Sequence, residues 1–379
     1  MAKLGDICTF QSGGTPSKSN SEYFNGSIPW ITTVALTGDY IGKNDAVDWI
    51  TDKAIQESAA KIIPENSIMV GTRVGIGKVA INAVPMSTSQ DIVSLINIDD
   101  TKWDKKFLCK VILARNNVLL SQARGATIKG IKIDTLAKLE IPEIPLNEQR
   151  RISAVLDKVS GLIAKRREQL DKLDELVKAR FVEMFGDPSA NSQWPTQKLS
   201  KLGELNRGVS KHRPRNDPDL LGGPYPLIQT GDVSNSGLYI SDYSSTYSEL
   251  GLAQSRLWKE GTLCITIAAN IAQTSILAFD ACFPDSVVGF LPGEKTNAVF
   301  VHYWFSFFQK ILEEQAPQVA QKNINLKILS DLDVIVPPYN LQADFSDFVG
   351  QIEKSKLTIQ QSLDRLEVLK KALMQQYFG

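Results

Sequence analysis

Two rhythms of hydrophobic and polar residues alternate along the chain. Short stretches such as SIMVGTRVG at 67–75, KVAINAV at 78–84, DIVSLINI at 91–98, TLCITIAA at 262–269 and VVGFLP at 287–292 are rich in β-branched residues. Gly, Pro, Asn and Ser punctuate them at the spacing of short strands in a compact domain. Residues 104–123 and 298–315 read as a helix in each block. After the Pro-rich exits IPEIP and IVPPY the rhythm changes to steps of three and four. It runs through Ile152, Val155, Val159, Leu162, Arg166, Gln169, Leu173, Leu176, Arg180 and Met184, and Val177, Phe181 and Phe185 widen the stripe. A second segment repeats it with Phe345, Phe348, Ile352, Ile359, Leu363, Leu366, Leu369 and Leu373. Steps sustained this long predict two helices of about forty residues, rods of about 60 Å, packed on each other as a coiled coil.

The two rhythms occur in the same order twice. LDKLDELVKARFVEMFG at 170–186 returns as LDRLEVLKKALMQQYFG at 363–379, identical at eight of seventeen positions without a gap. LGDI at 4–7 matches LGEL at 202–205, and LAKLEIPEIPL at 136–146 matches DLDVIVPPYNL at 331–341. An offset that stays near 195 throughout marks a tandem duplication. The expected class is α+β: two β-rich globular domains, residues 1–146 and 188–340, each followed by a long helix, 147–187 and 341–379. An antiparallel pairing of the duplicated helices gives the arrangement pseudo-twofold symmetry.

Composition narrows the partners more than the fold. The chain of 379 residues carries 42 basic and 42 acidic side chains, and the 188–340 block is slightly acidic. No segment has the positive excess of a protein that grips nucleic acid by bulk charge, so such contacts must come from local clusters or from a partner. No apolar run is long enough to span a bilayer. Four widely spaced cysteines without a Cys-x-x-Cys pair read as free buried thiols in a reducing cytoplasm.

PLNEQRRISAVLDKVSGLIAKRREQLDKLDELVKARFVEMFGD at 145–187, followed by WPTQKLSKLGEL, resembles the central region of specificity (S) subunits of type I restriction-modification systems. The resemblance extends over the whole chain. The second copy reads as a departure, with LQADFSDF where the first has LNEQRRIS. The resemblance implies that the globular blocks are target-recognition domains, each reading one half of an asymmetric, two-part site in double-stranded DNA. It also implies that the helices form a spacer and docking surface for two methyltransferase (M) subunits, with restriction (R) subunits joining for cleavage. S-adenosylmethionine then belongs to M, and ATP and magnesium to R, with no cofactor in this chain. Two alternatives are a coiled-coil scaffold that binds only protein and the recognition part of another multisubunit methyltransferase-nuclease.

The residues offer little catalytic chemistry. GTRVGIGK at 71–78 has five residues between Gly71 and Gly77 where a phosphate-binding loop has four, and Val79 replaces the magnesium-binding hydroxyl. It reads as a glycine-rich hairpin turn. His212 and His302 lie at no metal-ligand spacing. An Asn-Pro-Pro-Phe type methylation motif and a Pro-Asp…Asp/Glu-x-Lys nuclease motif are absent, so a non-enzymatic recognition role is expected. Base reading needs donors that reach groove edges, with basic and small polar groups on phosphates. In the first block the candidates are Ser12, Thr15, Lys18, Arg73, Lys78, Ser89, Gln90, Arg124 and Lys129. In the second, Arg207, Lys211, Arg213 and Arg215 fall within nine residues without an intervening acid, joined by Gln229, Thr230, Asn270, Gln273, Lys322 and Asn323.

Overall fold

The computed structural model describes residues 1–124, 130–187, 193–212, 214–268, 271–315 (backbone only from 308) and 324–379. The chain divides into two units, one comprising residues 1–167 and 361–379 and the other residues 168–360. Each unit therefore contains a globular block, part of one long helix and part of the other.

In the first unit a five-stranded sheet has the order Thr9–Ser12, Ile92–Ile96, Ile68–Gly71, Val79–Asn82, Tyr40–Ile41. A four-stranded sheet has the order Asp48–Ile50, Phe24–Ile31, Met86–Thr88, Ile62–Ile63. Most pairs are antiparallel, but Tyr40–Ile41 runs parallel to Val79–Asn82 and Phe24–Ile31 parallel to Met86–Thr88. The second unit repeats both sheets strand for strand. Its larger sheet is Gly203–Arg207, Val287–Pro292, Leu263–Thr266, Thr274–Leu277, Tyr239–Ile240, and its smaller one Ser245–Tyr247, Leu221–Leu227, Ala281–Cys282, Leu257–Trp258. Identical topology in both blocks establishes the duplication and the α+β class.

The strands form where branched side chains are buried on both faces: Ile68 to Gly71 and Val79 to Asn82 are all buried. Between them the 71–78 segment is a hairpin turn. Gly75 and Gly77 adopt φ of 66° and 75°, the left-handed region that costs glycine little. The helix expected over 104–123 is broken into Lys105–Ala114 and Asn116–Ser121 at Arg115, whose ψ of 9° leaves the helical well. Its counterpart is continuous, Ala298–Gln315. All four thiols are free, and burial pushes Cys109 up to about 12, which leaves it unreactive.

The long helices span Leu146–Phe185 and Tyr339–Phe378. Their buried stripe keeps Ile152, Val159, Val177, Phe181, Phe185, Phe345 and Leu363 of the expected one and departs from it elsewhere. Ile152, Leu156, Val159, Ile163, Val177, Phe181 and Phe185 are buried in the first helix, while Leu162 and Leu176 are 40% and 47% exposed. In the second, Phe345, Val349, Leu363 and Phe378 are buried and Leu369 is 45% exposed. A helix of 3.6 residues per turn drifts from a strict heptad. Here the ends follow the globular blocks rather than one continuous seam.

The repeated Phe-Gly ending has a structural reason. In the second unit Phe185, the end of the first helix, packs edge-on against Phe300 at 5.0 Å and against Phe345 at 5.7 Å. In the first unit the equivalent Phe378, the end of the second helix, packs against Phe107 at 5.6 Å, in a core with Ile152 and Leu156. Each helix thus starts on its own globular block and ends in the core of the other repeat's block. Within each unit the two helix segments consequently run antiparallel. Charged side chains tie them: Arg167 to Glu367 at 2.6 Å in the first unit, and Lys356 to Asp174 in the second.

Candidate nucleic-acid interface

A buried polar latch holds each block on the start of its helix. Gln149, 1% exposed, accepts a hydrogen bond from the Asp104 amide at 2.9 Å and donates to the Lys102 and Ile144 carbonyls, both at 2.9 Å. Ser153 donates to Asp104 Oδ1 at 2.9 Å, and the same carboxylate caps the Lys105–Ala114 helix through the Phe107 amide. In the second unit Gln342 accepts from Thr296 Oγ1 at 2.9 Å and donates to the Lys295 and Pro337 carbonyls at 3.0 and 2.8 Å. Ser346 donates to Asn297 Oδ1 at 3.0 Å, and Asn297 caps Ala298–Gln315. The second copy therefore does not depart at this position. Read with Pro145 opposite Pro338, both copies carry Pro-x-Asn-x-Gln-x-x-x-Ser, which places Gln149 on Gln342 and Ser153 on Ser346. That shared spacing was the available signal, obscured by aligning the leucines.

On the first block, three segments meet beside the glycine hairpin. The Thr72 amide donates to the Asp91 carbonyl at 2.8 Å, and the Ile131 amide donates to the Thr72 carbonyl at 2.8 Å. Arg124 and Gly130 exchange backbone hydrogen bonds of 3.0 and 2.9 Å across the base of their loop. A Cβ on Gly130 would lie 3.1 Å from Arg73 Cγ, so Gly130 packs directly against the hairpin. These contacts enclose a cavity of about 860 Å³ lined by Arg73, Gln90, Asp91, Gln122, Arg124 and Lys132, among others. Three expected residues, Arg73, Gln90 and Arg124, meet there. Gln122 and Lys132, not among the expected residues, complete the lining; each lies two residues outside the stretch 124–130 and has the right chemistry. Arg73, Arg124 and Lys132 are exposed and make no ion pair with a described residue.

The other first-block candidates lie apart from this lining. Thr15 adjoins it, its Oγ1 accepting from the Gln90 amide at 3.4 Å. Ser12, Lys18 and Lys78 are exposed, and none of them lines the cavity. Ser89 is a correction: it is 4% exposed, its side chain turned inward after the buried strand Met86–Thr88, and it offers nothing to a ligand on the surface. Lys129 lies outside the described residues. The SGG run owes its glycines to packing, because a Cβ on Gly13 would lie 2.2 Å from the Ser89 carbonyl oxygen.

The second block gathers its candidates elsewhere. Arg215, Gln229 and Thr230 line a cavity of about 320 Å³ with Asn216, Ser245 and Ser286. The basic run acquires an acid in three dimensions: Arg215 pairs with the Asp285 carboxylate, and Arg207 donates to the Asp285 carbonyl. The Asp219 amide, together with His212 at 2.9 Å, holds the Asp217 carboxyl below the usual range. Lys211 is exposed and Gln273 half-buried, in the turn equivalent to the glycine hairpin. Arg213, Asn270, Lys322 and Asn323 lie outside the described residues. Ile324, next in the chain, donates to the Ile267 carbonyl at 2.9 Å, as Ile131 does to Thr72.

Two blocks of one topology, each latched to a long helix and each presenting a polar cavity, define a class of duplicated recognition protein. Residues 1–174 and 191–370 match the family model of the type I restriction modification DNA specificity domain. The chain belongs to that family and is a DNA specificity subunit of a type I restriction-modification system. The MjaIX specificity subunit of Methanocaldococcus jannaschii is 31% identical over 99% of this chain and 91% of its own length. The EcoR124I/EcoR124II specificity subunit of Escherichia coli is 33% identical over 47% of this chain and 45% of its own. Among solved structures, the S subunit from M. genitalium superposes with a TM-score of 0.56 at 17% identity, covering 100% of this chain and 95% of that one. A chain from work on complex assembly and conformational transition of the type I system reaches 0.62 at 18% identity, covering 100% and 96%. At these identities the structural likeness shows the fold. Among the described residues no helix is long and apolar enough to cross a membrane.

Proposed function

We propose that each globular block reads one half of a two-part DNA site, with residues 1–146 and 188–340 as the recognition domains and the long helices as spacer. The observation that carries this reading is the gathering of Arg73, Gln90, Gln122, Arg124 and Lys132 around one cavity. These side chains combine charged forks for guanine edges and phosphates with amides for adenine edges. On the second block Arg215, Gln229 and Thr230 supply the equivalent donors. The chain itself performs no chemistry in this reading. Two M subunits bring S-adenosylmethionine and methylate adenine, R subunits bring ATP and magnesium, and the assembly works in the cytoplasm on double-stranded DNA.

The near-zero net charge supports a division of labour in which M provides much of the phosphate contact. Selection from a random duplex library by this chain, with and without M, tests the reading. A two-part motif with a constant gap is expected when M is present. Selection of no motif would favour a protein-only scaffold, and a stable one-to-one complex with M that methylates fully would remove the need for two docks.

A further inference from the structure

The first block carries more unpaired positive charge than its cavity alone uses. A second depression, about 350 Å³, is lined by Arg115, Val118, Leu119, Gln122, Thr135, Lys138, Leu139 and Glu140. It shares Gln122 and Thr135 with the cavity beside the hairpin, so the two form one trough. Along it stand five cations, Arg73, Arg124, Lys132, Arg115 and Lys138, against two lining acids, Asp91 and Glu140. Elsewhere on this block lysines find carboxylates: Lys53 meets Glu22, Lys105 meets Asp100, and Lys106 and Lys110 share Asp157. None of the five trough cations is in an ion pair with a described residue. Adjacent like charges without partners repel one another, and an anionic backbone lying in the trough relieves that repulsion.

Among the described residues, the second block has no counterpart to two of these cations. With Ile131 equivalent to Ile324, Lys132 falls on Asn325 and Lys138 on Asp331. Asn325 is occupied as the cap of Leu326–Ser330, and the Asp331 carbonyl accepts from Lys198 at 2.6 Å.

We propose that Arg115 and Lys138 bind DNA phosphates flanking the half-site read by the first block, giving that block a longer footprint than the second. The occupant is the sugar-phosphate backbone rather than base edges, because this half of the trough offers two cations against one carboxylate, Glu140, with an exposed Val118 and one amide. The proposal rests on the reading that the first block contacts DNA beside Arg73 and Arg124.

The test uses this chain reconstituted with its M subunits and a duplex carrying the selected site. The Arg115→Gln and Lys138→Gln double variant should select the same sequence. Its slope of log K against log salt should be reduced by about 0.9 for each lost phosphate contact. Methylphosphonates placed singly through the flank should weaken wild-type binding and leave the double variant unaffected at the same positions. That second readout is independent of the variant's overall stability. An unchanged slope and unchanged flank sensitivity, with binding still lost in the Arg73→Gln and Arg124→Gln variant, would overturn the proposal and leave the half-site reading standing. Loss of M association without a change in slope would overturn it in favour of a protein occupant. Insensitivity of both variants would remove the half-site reading along with it.

Discussion

Replacing Gln149 with leucine removes the centre of the first latch while keeping a side chain of similar bulk. Three backbone groups lose their partner: the Asp104 amide and the carbonyls of Lys102 and Ile144. Gln149 is 1% exposed, so water cannot simply take its place. Each buried polar group left unpaired costs about 1–3 kcal/mol, and three, with some relaxation, total about 3–6 kcal/mol. Set against a domain stability of about 5–15 kcal/mol, that opens the junction between block and helix. Hydrogen exchange read by mass spectrometry on a peptide spanning 102–108 reports the Asp104 amide directly, and exchange there should accelerate by at least a hundredfold. Gln149→Glu should behave similarly, since a carboxylate accepts from the amide but cannot donate to the two carbonyls. Arg151→Ala is the control: its pair with Glu148 is exposed, and loss of such a pair costs less than about 1 kcal/mol. A Gln149→Leu effect no larger than that of Arg151→Ala would refute the latch.

Three further outcomes follow from the same physical reasoning. Gly13→Ala and Gly208→Ala place a Cβ 2.2 Å from the Ser89 carbonyl oxygen and 2.3 Å from that of Pro284, so each should lose about 1–3 kcal/mol in urea unfolding of its unit; unchanged midpoints would contradict the close approach. His302 is held neutral by burial and the nearby Lys356, its pKa lowered to about 4, and the unfolded chain binds the extra proton below about 6.5. Stability of the second unit should therefore be complete above about pH 6.5 and fall by up to about 3 kcal/mol as pH drops toward 4, and His302→Gln should flatten that part of the profile; an identical profile in the variant would exclude the histidine as the cause. Because Arg215 already pairs with Asp285, Asp285→Asn should strengthen non-specific DNA binding at low salt, measured by anisotropy, whereas weaker binding would indicate that the pair itself shapes the site.

The repeat and the two rhythms were legible because they live in local spacing, and inner strands of the larger sheet in each block follow the stretches that the β-branched residues marked, whereas the strands of the smaller sheets do not. The helix stripe was legible only in part. A heptad drawn through Leu162 and Leu176 assumes one continuous partner, while the burial of Leu156 and Val349, outside that stripe, comes from the cores of the globular blocks. Nor could spacing reveal that Phe185 and Phe378 close each other's repeat, since the pairs Phe185–Phe300 and Phe107–Phe378 join residues far apart in sequence. Arg73, Gln90 and Arg124, picked out by chemical type, line one cavity. Ser89 was misplaced because a polar stretch does not disclose which hydroxyl points inward, and Asp285 was missed because it neutralises Arg215 across 70 positions.

The central claim is that each block reads its own half of a divided site. Duplex selection by the complex with M, run on the wild type and on variants in each cavity, tests it most directly. Arg73→Ala with Arg124→Ala should relax base preference in one half, Arg215→Ala with Gln229→Ala in the other, with the gap between halves unchanged. Relaxation of both halves by either pair, or selection of one unbroken motif, would contradict the account.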